Sequence, residues 1–389
     1  MSDQPFSNRR DFLRGGALRD EVAHAGEAAG EALLDGVRGG SADVAQRREV
    51  PRGGDTLRLE TRAMACQFSV ITNPGKHEKV WVASEALDII HELEQLMTVY
   101  RDDSEMSRVN REAREQPAVV DSRLFGLLQT CSELADQTGG AFDATSGPLI
   151  ALWRAAREEN RIPTDDETTT CLERVGMSHV ELDAEAETVR FDRADVELNL
   201  GGIGKGFALD RMAEQLVANG LNEFLLHGGR SSVLARGDHN SAGGWPVGIG
   251  NPLFTDRRLG TLLLRDQALS TSGSNIQYFR HQGQRYGHIL DPRTGWPVEG
   301  QLSVTVVAES AAVADALSTA FFVLGVEKAA ACCHHLPGVG AILTPQPESS
   351  RRVRPVVIGI SDEQIFWETD DVEPVRYSAA DAANSEPTE

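Results

Sequence analysis

The segment Ala314-Asp315-Ala316-Leu317-Ser318-Thr319 sets a carboxylate and a hydroxyl four residues apart. On a helix that spacing puts both on one face. Two hard oxygen ligands aimed at one point suit a cation such as Mg²⁺. The same pair is also what a cap or a solvated face shows, so the reading depends on what accompanies it. Three other segments do. Gly201-Gly202-Ile203-Gly204-Lys205-Gly206 is a glycine cluster that lets backbone approach a ligand and turns N–H groups toward phosphate oxygens. Lys205 adds a point charge. Asn199 and Gly206 stand where a Walker loop needs Gly and Ser or Thr, and the spacing is not that of a dinucleotide-binding fingerprint. In Gly139-Gly140-Ala141-Phe142-Asp143, Asp143 could meet a ribityl or ribose hydroxyl or could simply cap the turn. His288-Ile289-Leu290-Asp291-Pro292-Arg293-Thr294-Gly295 is a polar loop with an Asp-Pro turn start. A lone histidine such as His288 is more often structural than catalytic.

These groups need elements to hold them. The apolar run over 302–307 predicts a strand leading into a helix over 311–324, closed by Gly325. The pattern predicts helices over 78–99, 122–138 and 205–219. Short strands are expected over 66–72, 224–227, 232–236, 245–249, 259–264, 340–343 and 353–360, with a hairpin over 179–181 and 188–191. Strands outnumber what strict βαβ alternation gives, so the expected class is α+β, with mixed or antiparallel sheets flanked by helices. Residues 1–55 are poor in aromatics and rich in Gly, Ala and charge, which predicts a mobile tail with a transient helix near 21–37. The core is expected over 56–368 and an acidic disordered tail over 369–389.

Composition narrows the function. A formal charge of −21, from 38 basic and 59 acidic residues, argues against a nucleic-acid partner. It leaves room for a nucleotide in a locally positive pocket. Cys66, Cys131, Cys171, Cys332 and Cys333 are odd in number and scattered, unlike a disulfide framework. Cys332-Cys333-His334-His335 lacks zinc-ligand spacing and reads as a helix end. No apolar run approaches the ~20 residues of a membrane span. Arg9-Arg10 sits in a twin-arginine-like stretch without an apolar region after it. A cytoplasmic location is therefore expected, with export through a degenerate signal as the alternative.

Taken in order, these motifs resemble the FAD:protein FMN transferases of the ApbE family. The match runs from Met64-Ala65-Cys66 through Tyr100, Ser104, Ser107, Arg108 and Asn110 to the Gly140–Leu149 stretch. It continues with Gly201–Asp210, Gly228-Gly229, Leu269–Gly273, His288–Gly295 and Val313–Thr319. The resemblance implies an ApbE-like fold and a Mg²⁺-dependent enzyme that splits FAD. It would attach FMN to a Thr or Ser of a target flavoprotein and release AMP. Asp315, Thr319 and the Gly202 carbonyl match the family's metal ligands. Met64, Tyr100, Ala141, Phe142, Asp143, Asn199, Lys205 and Ile289 match positions that hold FAD. His288, Lys205 and Asp315 are the implied catalytic groups. The sequence departs from the family at Ala65-Cys66, where Gly-Thr is usual, and at Asn199, where Asp is common. It also departs at Ser318, where some members carry a further acidic ligand. Two other readings fit the same residues: a Mg²⁺-dependent FAD pyrophosphatase and a non-catalytic flavin-binding protein.

Overall fold

The computed structural model describes residues 51, 54–75, 79–254, 256–274, 278–347, 352–368 and 372–377. The twin-arginine-like stretch and the helix expected near 21–37 lie outside them. In chain order the first elements are β1 (Leu57–Ala63), β2 (Cys66–Thr72), α1 (Val80–Met97), α2 (Glu105–Glu112), β3 (Ala118–Val119), α3 (Ser122–Gln137), α4 (Gly147–Glu158) and α5 (Asp165–Leu172). Then come β4 (Val180–Asp183), β5 (Thr188–Phe191), α6 (Gly204–Ala218), β6 (Phe224–Gly228), β7 (Ser232–Arg236), β8 (Trp245–Gly250), β9 (Arg258–Leu264) and β10 (Gln267–Gly273). The last are β11 (Tyr278–His281), β12 (Gln284–Gly287), β13 (Gln301–Ala308), α7 (Ala311–His335), β14 (Gly340–Pro345), β15 (Val356–Ile358), β16 (Ile365–Trp367) and β17 (Val375–Arg376).

One large sheet organises the described residues, in the order β1-β2-β6-β7-β10-β13-β14-β15-β17. Its pairs are antiparallel except β15 with β17. Successive side chains point to opposite faces, and both faces are covered. Leu234, Ala268, Val304 and Val306 join the core beneath α6 and α7. Val233, Ala235, Leu269 and Val307 turn the other way, onto Trp245, Val247, Leu262 and Ile365 of the small β16-β9-β8 sheet. The result is an α+β architecture, as expected. Because both faces are buried, β13 is apolar on each of them, at Leu302, Val304 and Val306 and at Val307, with only Ser303 and Thr305 interrupting.

α7 has 25 residues, with a window of mean hydropathy 1.5. By length and composition alone it could cross a membrane, which the sequence did not lead us to expect. Its Ala314, Ala316, Leu317, Ala320, Phe321 and Phe322 are instead buried in the core. Gly325 sits inside it at φ 73°, ψ −177°. The regular helix is therefore broken where the sequence predicted its end, and a second helical piece continues to His335.

Two expectations are corrected. The 267–273 stretch, for which the pattern predicted no strand, is strand β10. The sheet also extends beyond residue 368: Val375 and Arg376 pair with Val356 and Val357, and Val372 is buried.

Candidate functional site

Asp315 lies in the second turn of α7 and is only 4% exposed. A buried carboxylate must be satisfied by hydrogen bonds or charge, and four donors converge on it. Its Oδ1 accepts from Ser270 Oγ at 2.8 Å and Ser232 Oγ at 3.2 Å. Its Oδ2 accepts from Gly206 N at 3.1 Å and Lys205 Nζ at 3.3 Å. The serines reach it by register. Ser232 of β7 and Ser270 of β10 are directly opposed, so both project from the same sheet face, toward α7. Ser272 follows two residues later on that face. Its hydroxyl meets Ser318 Oγ at 2.8 Å and Thr319 Oγ1 at 3.2 Å.

The glycine cluster forms the approach to this carboxylate. Residues 201–203 make a turn and Gly204 opens α6. Asn199 Oδ1 accepts from Gly201 N at 2.9 Å and fixes the turn. A Cβ on Gly202 would sit 3.8 Å from Thr319 Oγ1 and 3.5 Å from a ring carbon of Phe142. A Cβ on Gly206 would collide with the Ala311 carbonyl oxygen, so only glycine lets α6 cross α7 so closely. The two helices cap each other. Asp315 of α7 accepts the Gly206 N–H, and Asp210 of α6 accepts from Ala311 N at 2.8 Å, Ala312 N at 2.9 Å and Ser310 Oγ at 2.7 Å. Burial raises the Asp210 pKa, against the lowering effect of those three donors. The positive end of α6 thus faces the Asp315–Thr319 stripe.

The remaining candidates divide. Ala141, Phe142 and Ile289 are buried in the main core, with Phe142 against Gly202. Asp143 is a turn-holding group. Its Oδ1 accepts from Thr145 N at 2.8 Å and Thr145 Oγ1 at 2.5 Å, and its Oδ2 accepts from Met177 N at 3.0 Å. Of its two expected roles, capping is the one its hydrogen bonds serve. Met64 and Ala65 form the β1–β2 turn at φ 49° and 57°, a left-handed conformation that favours Gly or Asn. Met64 N is tied to Glu94 Oε1 at 2.8 Å. This strained tip delivers Cys66 to the site: burial raises the thiol's pKa, and the charges of Lys205 and Asp315 act on it. Tyr100 is 72% exposed at the surface, with Arg154 5.8 Å from its ring centre.

His288 is exposed and follows β12. Its loop is anchored firmly: Trp153 Nε1 donates to Gly295 O at 2.7 Å, and Asp291 bonds Arg293. Arg293 Cγ would lie 3.6 Å from a Cβ on Gly140. Contacts therefore run from the histidine loop to the 139–142 turn, then to Gly202 and Thr319. The sequence missed the serine pair Ser232 and Ser270. The only hint was the alternation Ala268-Leu269-Ser270-Thr271-Ser272, apolar-to-polar along one face.

Among the described residues, no group of three or more His, Cys, Asp or Glu side chains is placed to hold a metal. The expected donor set is of another kind: one carboxylate, one hydroxyl and one backbone carbonyl. Oxygen donors alone suit a hard cation such as Mg²⁺, which keeps several waters. Asp315 and Thr319 share a helix face, and Gly202 lies against Thr319, so these residues fit such an ion.

The ApbE family profile matches residues 64–343. A FAD:protein FMN transferase of Treponema pallidum is 33% identical over 291 residues, covering 71% of this chain and 80% of that protein. One from Vibrio cholerae is 31% identical over 280 residues, covering 70% and 83%. Among solved structures, the ApbE protein of Thermotoga maritima superposes with TM-score 0.68 at 28% identity, over 75% of this chain and 94% of that one. The flavin transferase ApbE of Vibrio cholerae gives TM-score 0.69 at 26% identity, over 78% and 97%. The matched span takes in the Asp315–Thr319 helix face, the glycine turn and the His288 loop, and the chain belongs to the ApbE family.

Proposed function

We propose that this chain cleaves FAD and moves FMN onto the hydroxyl of a threonine or serine in an acceptor flavoprotein, with AMP as the leaving group. The chain is a flavin transferase, for which a Mg²⁺ requirement and a hydroxyl acceptor are proposed. The acceptor oxygen attacks the phosphorus of the FMN half. The bond from that phosphorus to the AMP phosphate oxygen breaks, and the hydroxyl proton passes to a base. The observation that carries the reading is the convergence of Asp315, Thr319, Gly202 and Lys205 at the start of α6.

Each group has a task. Asp315, Thr319 and the Gly202 carbonyl would hold Mg²⁺, which when bound neutralises pyrophosphate charge and stabilises the leaving phosphate. Lys205 and the amino end of α6 add positive potential where negative charge builds. Phe142, against Gly202, would give the approach one apolar wall. The acceptor hydroxyl is a weak nucleophile and needs alignment and a proton acceptor. His288, on its anchored loop, or a nearby carboxylate is the candidate base.

The test uses the purified full chain with FAD and Mg²⁺, with and without an acceptor flavoprotein. Transfer predicts AMP release that rises with acceptor and stops with a chelator. FMN and AMP released at the same rate without acceptor would favour the pyrophosphatase reading. Bound FAD with no AMP would favour a flavin-binding protein.

A further inference from the structure

We infer that Lys205 is a built-in stand-in for the divalent cation: its ammonium holds Asp315 in the metal-free protein and must leave it before a cation can be seated. The inference rests on the cation reading proposed above and adds to it what this chain does when no cation is present.

The argument begins with acceptor capacity. A carboxylate offers about four lone-pair positions, and Asp315 has four donors around it. A cation approaching either oxygen must displace one of them. Three cannot easily yield. The Gly206 N–H belongs to α6, pinned against α7 because a Cβ at Gly206 has no room. Ser232 and Ser270 sit on paired strands in the middle of the nine-stranded sheet. The fourth donor differs. Lys205 makes the longest of the four contacts, at 3.3 Å. Its side chain is 26% exposed, against 5% for that of Asp315, and it rides on a flexible four-carbon stem. It is the one charged donor of the four, and its head group can swing well clear of the carboxylate without disturbing backbone.

Charge points the same way. Asp315 is buried, and leaving it unpaired would be costly. The ammonium supplies the balancing charge when no metal does. Once a divalent ion takes the carboxylate, the lysine is redundant there and is repelled. It is then free to turn toward the diphosphate, where its charge is needed. Cation entry and lysine release are thus one exchange, and the chain engages a diphosphate with its lysine only after the metal is seated.

The test reads metal binding and stability rather than turnover. Lys205→Gln keeps a donor near Asp315 and removes the competing charge. Calorimetric titration of wild type and variant with MgCl₂ is expected to give a Kd about tenfold lower for the variant. Metal-free K205Q is expected to melt below wild type, with Mg²⁺ closing the gap. Equal or weaker binding by K205Q would overturn the stand-in role while leaving the cation reading intact. No Mg²⁺ uptake by either protein would overturn both. Lys205→Arg keeps the charge and decides the matter should K205Q not fold. It is expected to bind Mg²⁺ no tighter than wild type, and a tenfold gain would overturn the inference.

Discussion

Asp315 carries the account at the scale of single residues. Replacing it with alanine would strand two serine hydroxyls, a backbone N–H and a lysine, each an unmet buried or half-buried donor. Asp315→Asn is the cleaner variant, because it keeps the shape and one acceptor. Its FMN transfer is expected to fall on the order of 10²-fold or more, with the circular dichroism spectrum unchanged. Unchanged transfer would remove Asp315 from the chemistry. Asp143 makes a contrasting case. Its oxygens are spent on Thr145 and Met177, so Asp143→Ala is expected to lower stability by about 2 kcal/mol. FAD affinity, measured well below the melting temperature, should change little. The sequence presented Asp143 as ligand or cap with equal force, because an Asx turn and a sugar contact use the same residue type. The positions of Thr145 and Met177 show the capping role, which the sequence alone does not single out.

Reciprocal capping of α6 and α7 is the organising fact at the scale of elements. Gly206 permits the approach, Asp210 closes the start of α7, and Asp315 closes the start of α6. Gly206→Ala is expected to cost roughly 3 kcal/mol, or to prevent folding, because the clash is with backbone rather than with a flexible side chain. Asp210→Ala is expected to cost about 1–2 kcal/mol, as loss of a cap does. Both are measured by urea unfolding. A neutral Gly206→Ala would mean the helices are not locked together. Much at this scale was readable in advance. Strand β7 and the cores of α1, α3, α6 and β13 follow their hydrophobic period. β10 did not, because three of its seven residues are Ser or Thr turned to the site and to a cross-strand partner. A strand serving a polar site loses the apolar signature that marks a strand. β11 and β12 were missed for a related reason: they form a separate two-stranded ribbon, held by Phe279 and Tyr286 packing on Trp153, a contact across 126 residues or more that local pattern does not encode.

The whole molecule combines a strongly acidic chain with a site where a lysine balances the buried Asp315 carboxylate. That site is made by one lysine and the end of one helix, not by a basic stretch, so net charge gave no sign of it. The acid response of the fold is set elsewhere, in part by His227 of β6. Burial and the nearby Arg58 charge hold its pKa down at about 4. An unfolded chain takes up the proton near pH 6.5, and the folded chain resists until about pH 4. Stability should therefore fall as pH drops through that window and level off below it. His227→Gln is expected to flatten this acid limb in urea unfolding at pH 7 and pH 4.5. An unchanged limb would assign the acid sensitivity to other groups, with Asp210, whose pKa is raised, acting in the opposite sense.

The most direct test of the central claim is mass analysis of an acceptor flavoprotein co-expressed with this chain, beside the same acceptor co-expressed with Asp315→Asn. The account predicts a threonine- or serine-bearing peptide heavier by FMN less one water with the wild type, and no such peptide with the variant. An unmodified acceptor recovered alongside wild-type chain that still splits FAD to FMN and AMP would contradict it.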